Sequence, residues 1–357
     1  MYEILFRWIQ KLGVIFKKSE KADQGLLRDP KRAVSNPDRL QSFYNYICFP
    51  EKLTLNRIKM KKSILIALAI LMAAPMVTAQ QPGGQFPQRS EAGRTTEKTF
   101  YSKVFGTDRA YSIYLPRDYE TNPNKSYPIF YLLHGASDDN RCYENKAGLS
   151  SIANQLTASG EAIGMIIVTP NAGGTEYEGY YNMDGDKYPY EQFFFDEFMP
   201  YIESNYRVKP GKENRAIGGL SMGGGGCVWY ALTRPDLFCA VYEMSGALGI
   251  DESSSLWNPR NELAAKKKAS YLEHICSERI AAATAEEIEA YKTILWYADC
   301  GDDDFTIDYN WDFFKAMKKA GVPCQLRIRD GGHTWTYWAS GLNIALPLLS
   351  ARFGRTN

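Results

Sequence analysis

The chain has 357 residues, a net charge of +1 and 45% hydrophobic residues. This length and composition predict one large globular domain with tails. The balanced charge gives no reason to expect nucleic acid or an acidic membrane surface as a partner. Only three histidines are present, and neither H-E-x-x-H nor C-x-x-C occurs, so no metal site and no cofactor are expected.

Residues 60–79 have the organisation of a secretory signal peptide. Lys61 and Lys62 precede an apolar core at residues 64–74, and a small-residue cleavage site ends at Ala79. The apolar core is shorter than the ~18 residues expected of a spanning helix. No Cys follows the cleavage site, so no membrane anchor is expected. The mature protein should therefore be periplasmic or secreted.

Two further segments flank this signal. Residues 1–59 precede it, although a signal peptide should begin a chain. They are either a true extra segment or the product of an upstream start codon assigned in error, and we favour the second interpretation. Residues 80–97 are rich in Gln, Pro, Gly, Arg and Ser, which predicts a flexible leader. The folded domain is then expected at residues 98–357.

Beyond the leader, short apolar runs alternate with helical patterns. Strands are predicted over residues 98–105, 109–115, 127–133, 162–168, 216–220, 239–244, 294–299 and 325–328, and helices over residues 144–158, 190–206, 251–289, 309–320 and 342–353. The first two strands should pair as an antiparallel hairpin. Buried strands that alternate with helices predict an α/β fold with a mostly parallel sheet, covered by helices on both faces. Ligands bind such sheets at the carboxyl ends of the strands.

A G-x-S-x-G motif spans residues 219–223, at the end of the apolar run 216–220. Residues 227–232 can continue as a helix, and a strand, a sharp turn and a helix form the nucleophile elbow of α/β-hydrolases. The motif needs its glycines because the elbow Ser is strained and the chain packs tightly around it. The alternatives are a Gly-rich turn that only packs and a phosphate loop, but no Gly-Lys-Ser/Thr follows. The motif therefore predicts Ser221 as a nucleophile.

A serine hydroxyl needs an imidazole to take its proton and a carboxylate to orient that imidazole. His333 follows the last predicted strand and fits the chain order Ser, acid, His, so it is the predicted base. His134 precedes Ser221 and is expected to shape the loop after its own strand. His274 lies in a charged helical segment and is expected at the surface.

The acid should lie directly after the strand at residues 294–299. Asp302, Asp303 and Asp304 all qualify, and spacing alone does not choose among them. Turn and helix-cap chemistry would account for two of the three.

The reaction also requires donors for the negative oxygen of the tetrahedral intermediate. Fixed backbone N–H groups contribute ~10²–10³ in rate per donor. The N–H of Met222, directly after the nucleophile, is the first predicted donor. The second is the N–H of Ala136, in the loop that follows residue 133.

From residue 98 to 352 the chain resembles the esterase D/feruloyl esterase-type branch of the α/β-hydrolases. The matching segments are YLLHG at 131–135, PYE at 189–191, PYIESNY at 200–206, RAIGGLSMGG at 215–224, CGDDD at 300–304 and GGHTWTYW at 331–338. This branch includes feruloyl and acetylxylan esterases and is related to bacterial mycolyltransferases. The resemblance implies that Ser221 is the nucleophile, His333 the base and Asp304 the acid, at the last position of a C-G-x-x-D pattern.

The same resemblance implies a carboxylic ester hydrolase, whose substrates are feruloyl or acetyl esters of plant polysaccharides or oligosaccharides, and the signal peptide predicts that it is secreted. The alternatives are an acyltransferase with the same triad and a non-catalytic carbohydrate-binding protein. Substrate contacts are expected from Trp335 and Trp338, in a loop after His333, and from Asn171. Tyr180 and Tyr181 should border the same cleft. Residues 246–293 are longer and more charged than the family pattern, which suggests an inserted lid-like helical segment.

Overall fold

The computed structural model of the chain describes residues 92–173, 177–250 and 261–354. The predicted signal peptide and the extension before it lie outside these residues. Within them, no helix is both long and apolar enough to cross a lipid bilayer.

Eight strands form one twisted sheet in the order β1-β2-β4-β3-β7-β8-β9-β10, and β5 pairs with β6 separately. The strands are β1 Arg94–Ser102, β2 Thr107–Leu115, β3 Ile129–Leu133, β4 Ile166–Pro170, β5 Asn182–Met183, β6 Tyr188–Pro189, β7 Arg215–Leu220, β8 Ala240–Met244, β9 Leu295–Gly301 and β10 Cys324–Arg329. Strand β2 runs antiparallel to β1 and β4, and the pairs from β4 to β10 are parallel. The predicted α/β fold with a mostly parallel sheet is confirmed.

Helices cover both faces of this sheet. They are α1 Cys142–Ala147, α2 Leu149–Ser159, α3 (Tyr190–Gln192, π-helical Phe193–Phe198 and Met199–Asn205), α4 Met222–Thr233, α5 Glu262–Glu273, α6 Cys276–Ala281, α7 Ala285–Lys292, α8 Ile307–Lys319 and α9 Trp335–Arg352. Helices α1, α2 and α9 share one core cluster with the sheet, and α3, α4, α6 and α8 share the other. Strand β3 shows why both faces must be covered, because Tyr131 enters one cluster and Phe130 and Leu132 the other.

The folded domain begins earlier than predicted. Strand β1 starts at Arg94, so residues 94–97 pair with β2 instead of belonging to the flexible leader. Most residues of β1 are exposed or half-buried because it is an edge strand. An edge strand with little apolar content has the composition of a leader, and only its partner strand distinguishes the two.

The last helix also begins earlier than predicted, at Trp335 instead of residue 342. The prediction that Trp335 and Trp338 lie in a loop is therefore wrong. The Thr334 side chain accepts the N–H of Tyr337 and caps the helix. Aromatic and β-branched residues have weak helix propensity, so the segment 334–338 did not read as helical.

The helix predicted over residues 251–289 lies partly outside the described residues, and the described part forms three helices, α5, α6 and α7, while residues 246–250 are not helical. Helices α6 and α7 are anchored in the core, since Cys276, Ile280 and Tyr291 are at most 2% exposed. Helix α5 is tied to the loop before β6, because Lys266 pairs with Asp184 at 3.0 Å. This part of the insertion packs as an integral layer of the domain.

Candidate active site

Ser221 lies in the sharp turn between β7 and α4, with φ 53° and ψ −119°. This backbone conformation is strained for a residue with a side chain. A Cβ atom on Gly219 would lie 2.4 Å from the Gly223 oxygen, and one on Gly223 would lie 2.3 Å from the Leu133 oxygen. Both glycines of the motif are therefore required by close backbone packing. Their packing holds the strained turn in place.

The Ser221 backbone is also fixed by hydrogen bonds to the last residue of β8, to the segment after β8 and to α4. Its N–H donates to the Met244 carbonyl at 2.9 Å, and its carbonyl accepts the N–H of Ala247 at 2.9 Å. A second N–H, that of Gly225 in the first turn of α4, donates to the same carbonyl at 3.0 Å. The position of the Ser221 hydroxyl is thus set by three elements of the fold.

The structure brings Ser221, His333 and Asp304 together from the ends of three strands. The Oγ atom of Ser221 lies 2.9 Å from Nε2 of His333. On the other side of the ring, Nδ1 lies 2.9 and 3.0 Å from the two carboxylate oxygens of Asp304. The carboxylate can only accept, so Nδ1 carries the proton and Nε2 is free to accept the Ser221 hydroxyl proton.

Asp304 is the acid that reaches His333, and it is only 2% exposed. Burial alone raises the pKa of its carboxyl, but hydrogen bonds from His333, Thr306 and Ser245 outweigh burial and hold the pKa below its usual range. The Thr306 N–H and hydroxyl both donate to Oδ1, at 2.9 and 2.8 Å. Asp304 therefore remains a carboxylate that can stabilise a protonated His333.

The other two candidate acids face solvent. Asp302 accepts the N–H of Gly331 at 3.0 Å and so ties the loop that carries His333 to the end of β9. The backbone N–H of Asp303 donates to the Gly331 carbonyl at 3.0 Å. Tertiary contacts thus separate three adjacent aspartates that spacing along the chain could not distinguish.

The predicted oxyanion donors lie on the two segments that flank Ser221. Met222 is the first residue of α4, and Ala136 is exposed in the loop after β3. A Cβ atom on Gly135 would lie 3.4 Å from Cβ of Ser221, so this loop runs alongside the serine. Among the described residues, no hydrogen bond occupies the N–H of Met222 or Ala136. Both groups are available to a ligand.

The residues predicted to bind substrate are placed differently from one another. Trp338 packs edge-on against His333, with ring centroids 4.8 Å apart, and its Nε1 donates to Ser245 at 3.0 Å. It is 6% exposed, so it supports His333 and offers little open surface. Trp335 is half-buried against Trp338 and Tyr143, at centroid distances of 5.4 and 5.5 Å.

Asn171 is used in a turn that follows β4. Its side-chain oxygen accepts the N–H of Gly173 at 2.9 Å, and its carbonyl accepts from Arg109 at 2.7 Å and from Tyr190 at 3.1 Å. Within the part of the chain that the structure describes, no hydrogen bond joins Asn171 to Ser221 or His333. Its polar groups are those of a structural turn.

Two sequence-based expectations about aromatic and histidine residues are wrong. Tyr180 and Tyr181 are 0% and 2% exposed, so they are core residues and do not border an open cleft. His274 is not at the surface, because its side chain is 11% exposed and stacks on Tyr181 with centroids 4.0 Å apart. The charged residues next to His274 in the sequence suggested a surface position, whereas Tyr181, its stacking partner, is distant in the sequence.

His134 shapes the loop after β3, as expected. It is fully buried, Nε2 accepts the N–H of Ala172 at 2.9 Å, and Nδ1 lies 2.8 Å from the Gly135 carbonyl. Because Nε2 accepts, the proton of the neutral ring is on Nδ1. Burial lowers the pKa of His134, and its bond to Gly135 offsets only part of that effect.

Sequence reasoning missed Ser245 and Phe305. Ser245 has φ 49°, receives the Trp338 N–H and is hydrogen-bonded to Asp304. Phe305 directly follows Asp304, is 55% exposed, and lies 4.4 Å from His333 between ring centroids. Adjacency to the acid was the available signal for Phe305. No signal in the sequence identified Ser245.

A strained serine beside an imidazole that a buried carboxylate orients is the arrangement used by serine hydrolases. Residues 102–349 match the protein family described as "Putative esterase", and the chain belongs to this family. A solved structure of a ferulic acid esterase is 43% identical, covers 73% of this chain and 99% of its own, and superposes with a TM-score of 0.69.

Curated relatives are similar over parts of the chain. The acetyl esterase of Caldicellulosiruptor saccharolyticus is 24% identical over 271 residues, which are 70% of this chain and 96% of the relative. The endo-1,4-beta-xylanase/feruloyl esterase of Xylanibacter ruminicola is 33% identical over 154 residues, which are 41% of this chain and 20% of the relative. The chain spans less than a quarter of the length of the xylanase relatives that it matches.

These similarities confirm the resemblance to feruloyl esterase-type enzymes of the α/β-hydrolase superfamily. The family is described as an esterase family, and the similar proteins include a ferulic acid esterase and an acetyl esterase.

Proposed function

We propose that this protein is a secreted serine esterase that removes feruloyl or acetyl groups from plant polysaccharides or oligosaccharides. The main support for a catalytic serine is the pair of hydrogen bonds made by the His333 ring. His333 lies 2.9 Å from the Ser221 hydroxyl and 2.9 Å from the Asp304 carboxylate. This geometry supports general-base activation of a serine at neutral pH.

In the proposed acylation step, the Ser221 oxygen attacks the ester carbonyl carbon while Nε2 of His333 takes the hydroxyl proton. The carbonyl oxygen becomes negative and accepts the N–H groups of Met222 and Ala136. The tetrahedral intermediate then breaks its bond to the alcohol oxygen, which leaves with the proton held by His333. The Asp304 carboxylate stabilises the charged imidazole throughout.

Deacylation repeats this sequence with water as the nucleophile. His333 takes a proton from water as the water oxygen attacks the acyl carbon, and returns it to the Ser221 oxygen as the acid is released. One imidazole therefore gains a proton and gives it up again twice in each turnover, once in acylation and once in deacylation. Product analysis with and without added sugar separates this hydrolase from an acyltransferase, in which a sugar hydroxyl replaces water.

The acyl preference is proposed from the relatives and from the aromatic groups around His333. The similar proteins are named ferulic acid esterase and acetyl esterase. Phe305 and Trp335 present planar surfaces that suit sugar or phenolic rings. We therefore expect little activity on acyl chains longer than about eight carbons.

A panel of three esters tests this proposal. Methyl ferulate and 4-nitrophenyl acetate should be hydrolysed with higher kcat/KM than 4-nitrophenyl palmitate. Covalent labelling of the wild-type protein by a fluorophosphonate, lost in Ser221→Ala, checks the nucleophile separately. Preference for palmitate would refute the carbohydrate-esterase assignment and leave the nucleophile standing. Absence of labelling would refute the nucleophile.

Secretion is proposed from the signal-like residues 60–79 alone. N-terminal sequencing of the native protein should give a start near Gln80. A native protein that retains residues 1–59 would contradict both the cleavage and the interpretation of an upstream start assigned in error.

A further inference from the structure

Phe305 is an exposed aromatic residue beside the candidate base. Its side chain is 55% exposed, although it lies between the buried Asp304 and the buried Thr306. Its ring centroid is 4.4 Å from that of His333, at an interplanar angle of 43°. Among the described residues, its only ring contact is with His333. One part of the ring thus covers the imidazole, and the rest faces solvent.

The exposed aromatic Trp311 of α8 provides a comparison. Trp311 is 45% exposed, but it stacks on Phe314 of the same helix with centroids 5.7 Å apart. Local packing along α8 therefore accounts for Trp311. It does not account for Phe305, because that ring precedes α8 and contacts a histidine in the loop after β10. Because the exposed Phe305 ring lies against the proposed base, it is placed to contact a substrate bound at His333.

The chemistry of the ester identifies which part of the substrate approaches Phe305. His333 must return its proton to the alcohol oxygen, so that oxygen lies about 3 Å from Nε2 in the reacting complex. The acyl carbonyl oxygen points away, toward the N–H groups of Met222 and Ala136. The acyl oxygen and the alcohol oxygen of the ester therefore lie on different sides of the site. Phe305 lies on the side of His333, which receives the alcohol.

Trp338 also contacts the His333 imidazole. It meets His333 edge-on at an angle of 87° and is 6% exposed. Its indole N–H is already bound to Ser245. The open surface next to His333 is thus provided by Phe305.

We propose that Phe305 is a specificity-determining residue that binds the alcohol part of the substrate by packing against the apolar face of a sugar ring. This inference rests on the proposed esterase function. Binding energy gained from a part of the substrate that doesn't react can be used to lower the barrier at the ester. Phe305 should therefore favour sugar esters over esters of small alcohols that carry the same acyl group.

The test compares two substrates with one acyl group, a feruloylated arabino-oligosaccharide and methyl ferulate. For Phe305→Ala, the ratio of kcat/KM for the sugar ester to that for the methyl ester should fall by about two- to tenfold, the range expected for contacts of one aromatic ring. Phe305→Leu should lower the ratio by a similar factor if a flat ring is needed. Trp311→Ala is the matched control and should keep the wild-type ratio.

Three outcomes would count against the inference or its basis. An unchanged ratio in Phe305→Ala would overturn it. Equal losses on both substrates, with a shifted pH profile, would show that the ring only positions His333. A wild-type protein that hydrolyses neither ester would refute the proposed function itself. Fluorophosphonate labelling of each variant checks that the site is folded.

Discussion

The loops after β3 and β10 each place a histidine at the same edge of the sheet, yet the two rings have opposite environments. His134 is fully buried, and both of its nitrogens are engaged by backbone groups, those of Ala172 and Gly135. The His333 side chain is 21% exposed, and its nitrogens face a carboxylate and a hydroxyl. One ring is closed to any exchange of protons with a ligand, and the other is placed to exchange them.

The hydrogen-bond partners of each histidine thus decide its role. An imidazole between an N–H and a carbonyl serves as a neutral connector, since a second proton would remove its only acceptor. An imidazole between a carboxylate and a hydroxyl gains a stabilising neighbour when it is protonated. The same residue type therefore holds the β3 and β4 ends together in one loop and serves as the proposed base in the other.

The largest effect on activity is expected when either side chain of the proposed reacting pair is removed. Ser221→Ala and His333→Ala should each reduce kcat by ~10⁴–10⁶, because such groups act as a unit. Their melting temperatures should remain close to that of the wild type, since both side chains are partly exposed. A variant that keeps more than about a tenth of the wild-type rate would mean that the reaction occurs elsewhere.

The next largest effect should come from the carboxylate. Asp304→Asn should lower kcat by ~10⁴, because an amide can favour the wrong tautomer of His333. Asp302→Asn is the matched control at the neighbouring exposed position. It retains an oxygen that can accept the Gly331 N–H, so its effect should be mild. Steady-state kinetics of both variants on one ester tests which aspartate is the acid. A severe loss of kcat in Asp302→Asn alone would mean that Asp302, not Asp304, orients His333.

Substitution of His134 should lower the free energy of unfolding more than it lowers kcat. His134→Ala leaves the buried N–H of Ala172 without its acceptor and opens a cavity. We expect a loss of about 2–4 kcal/mol in the free energy of unfolding. His134→Gln offers an oxygen to the same N–H and should lose less. Urea denaturation measures both variants, and equal stability of His134→Ala and wild type would show that the connector is dispensable.

The smallest expected effect is a dependence of stability on pH. The pKa of His134 is lowered from its usual 6.5 by burial. Below pH 6.5 the unfolded chain binds a proton at this residue that the folded protein does not, so stability falls as the pH drops. The slope from one such group is at most about 1.4 kcal/mol per pH unit.

The His134→Gln variant isolates this contribution, because its other titrating groups are unchanged. The difference in unfolding free energy between wild type and variant should grow in favour of the variant as the pH is lowered from 6.5. A difference that is constant across this range would mean that His134 does not resist protonation.

Local sequence patterns were sufficient to predict those parts of the site that are built from adjacent residues. The strand, the G-x-S-x-G motif and the helix predicted the turn at Ser221, because the close approach of Gly219 and Gly223 is a property of that turn itself. Chain order pointed to His333 instead of His134. Both inferences depend on backbone geometry that neighbouring residues dictate.

Contacts between distant residues could not be predicted in this way. Asp302, Asp303 and Asp304 are equivalent in spacing, and the structure separates them because Asp304 alone turns inward under His333. The residues next to His274 in the sequence predict a surface position, but its ring stacks on Tyr181 in the structure. In each case the deciding partner lies far along the chain.

The amino-acid sequence was sufficient to predict the class of fold, the elbow at Ser221 and the chain order of the groups that surround it. These follow from hydrophobic periodicity and from the steric demands of a few adjacent residues. Three features depend on the packing of the whole domain. Asp304 is the aspartate that contacts His333, Trp338 packs against the imidazole and is buried, and Phe305 is exposed beside it. Burial and orientation of a side chain depend on all the elements packed around it, and no short stretch of sequence specifies them.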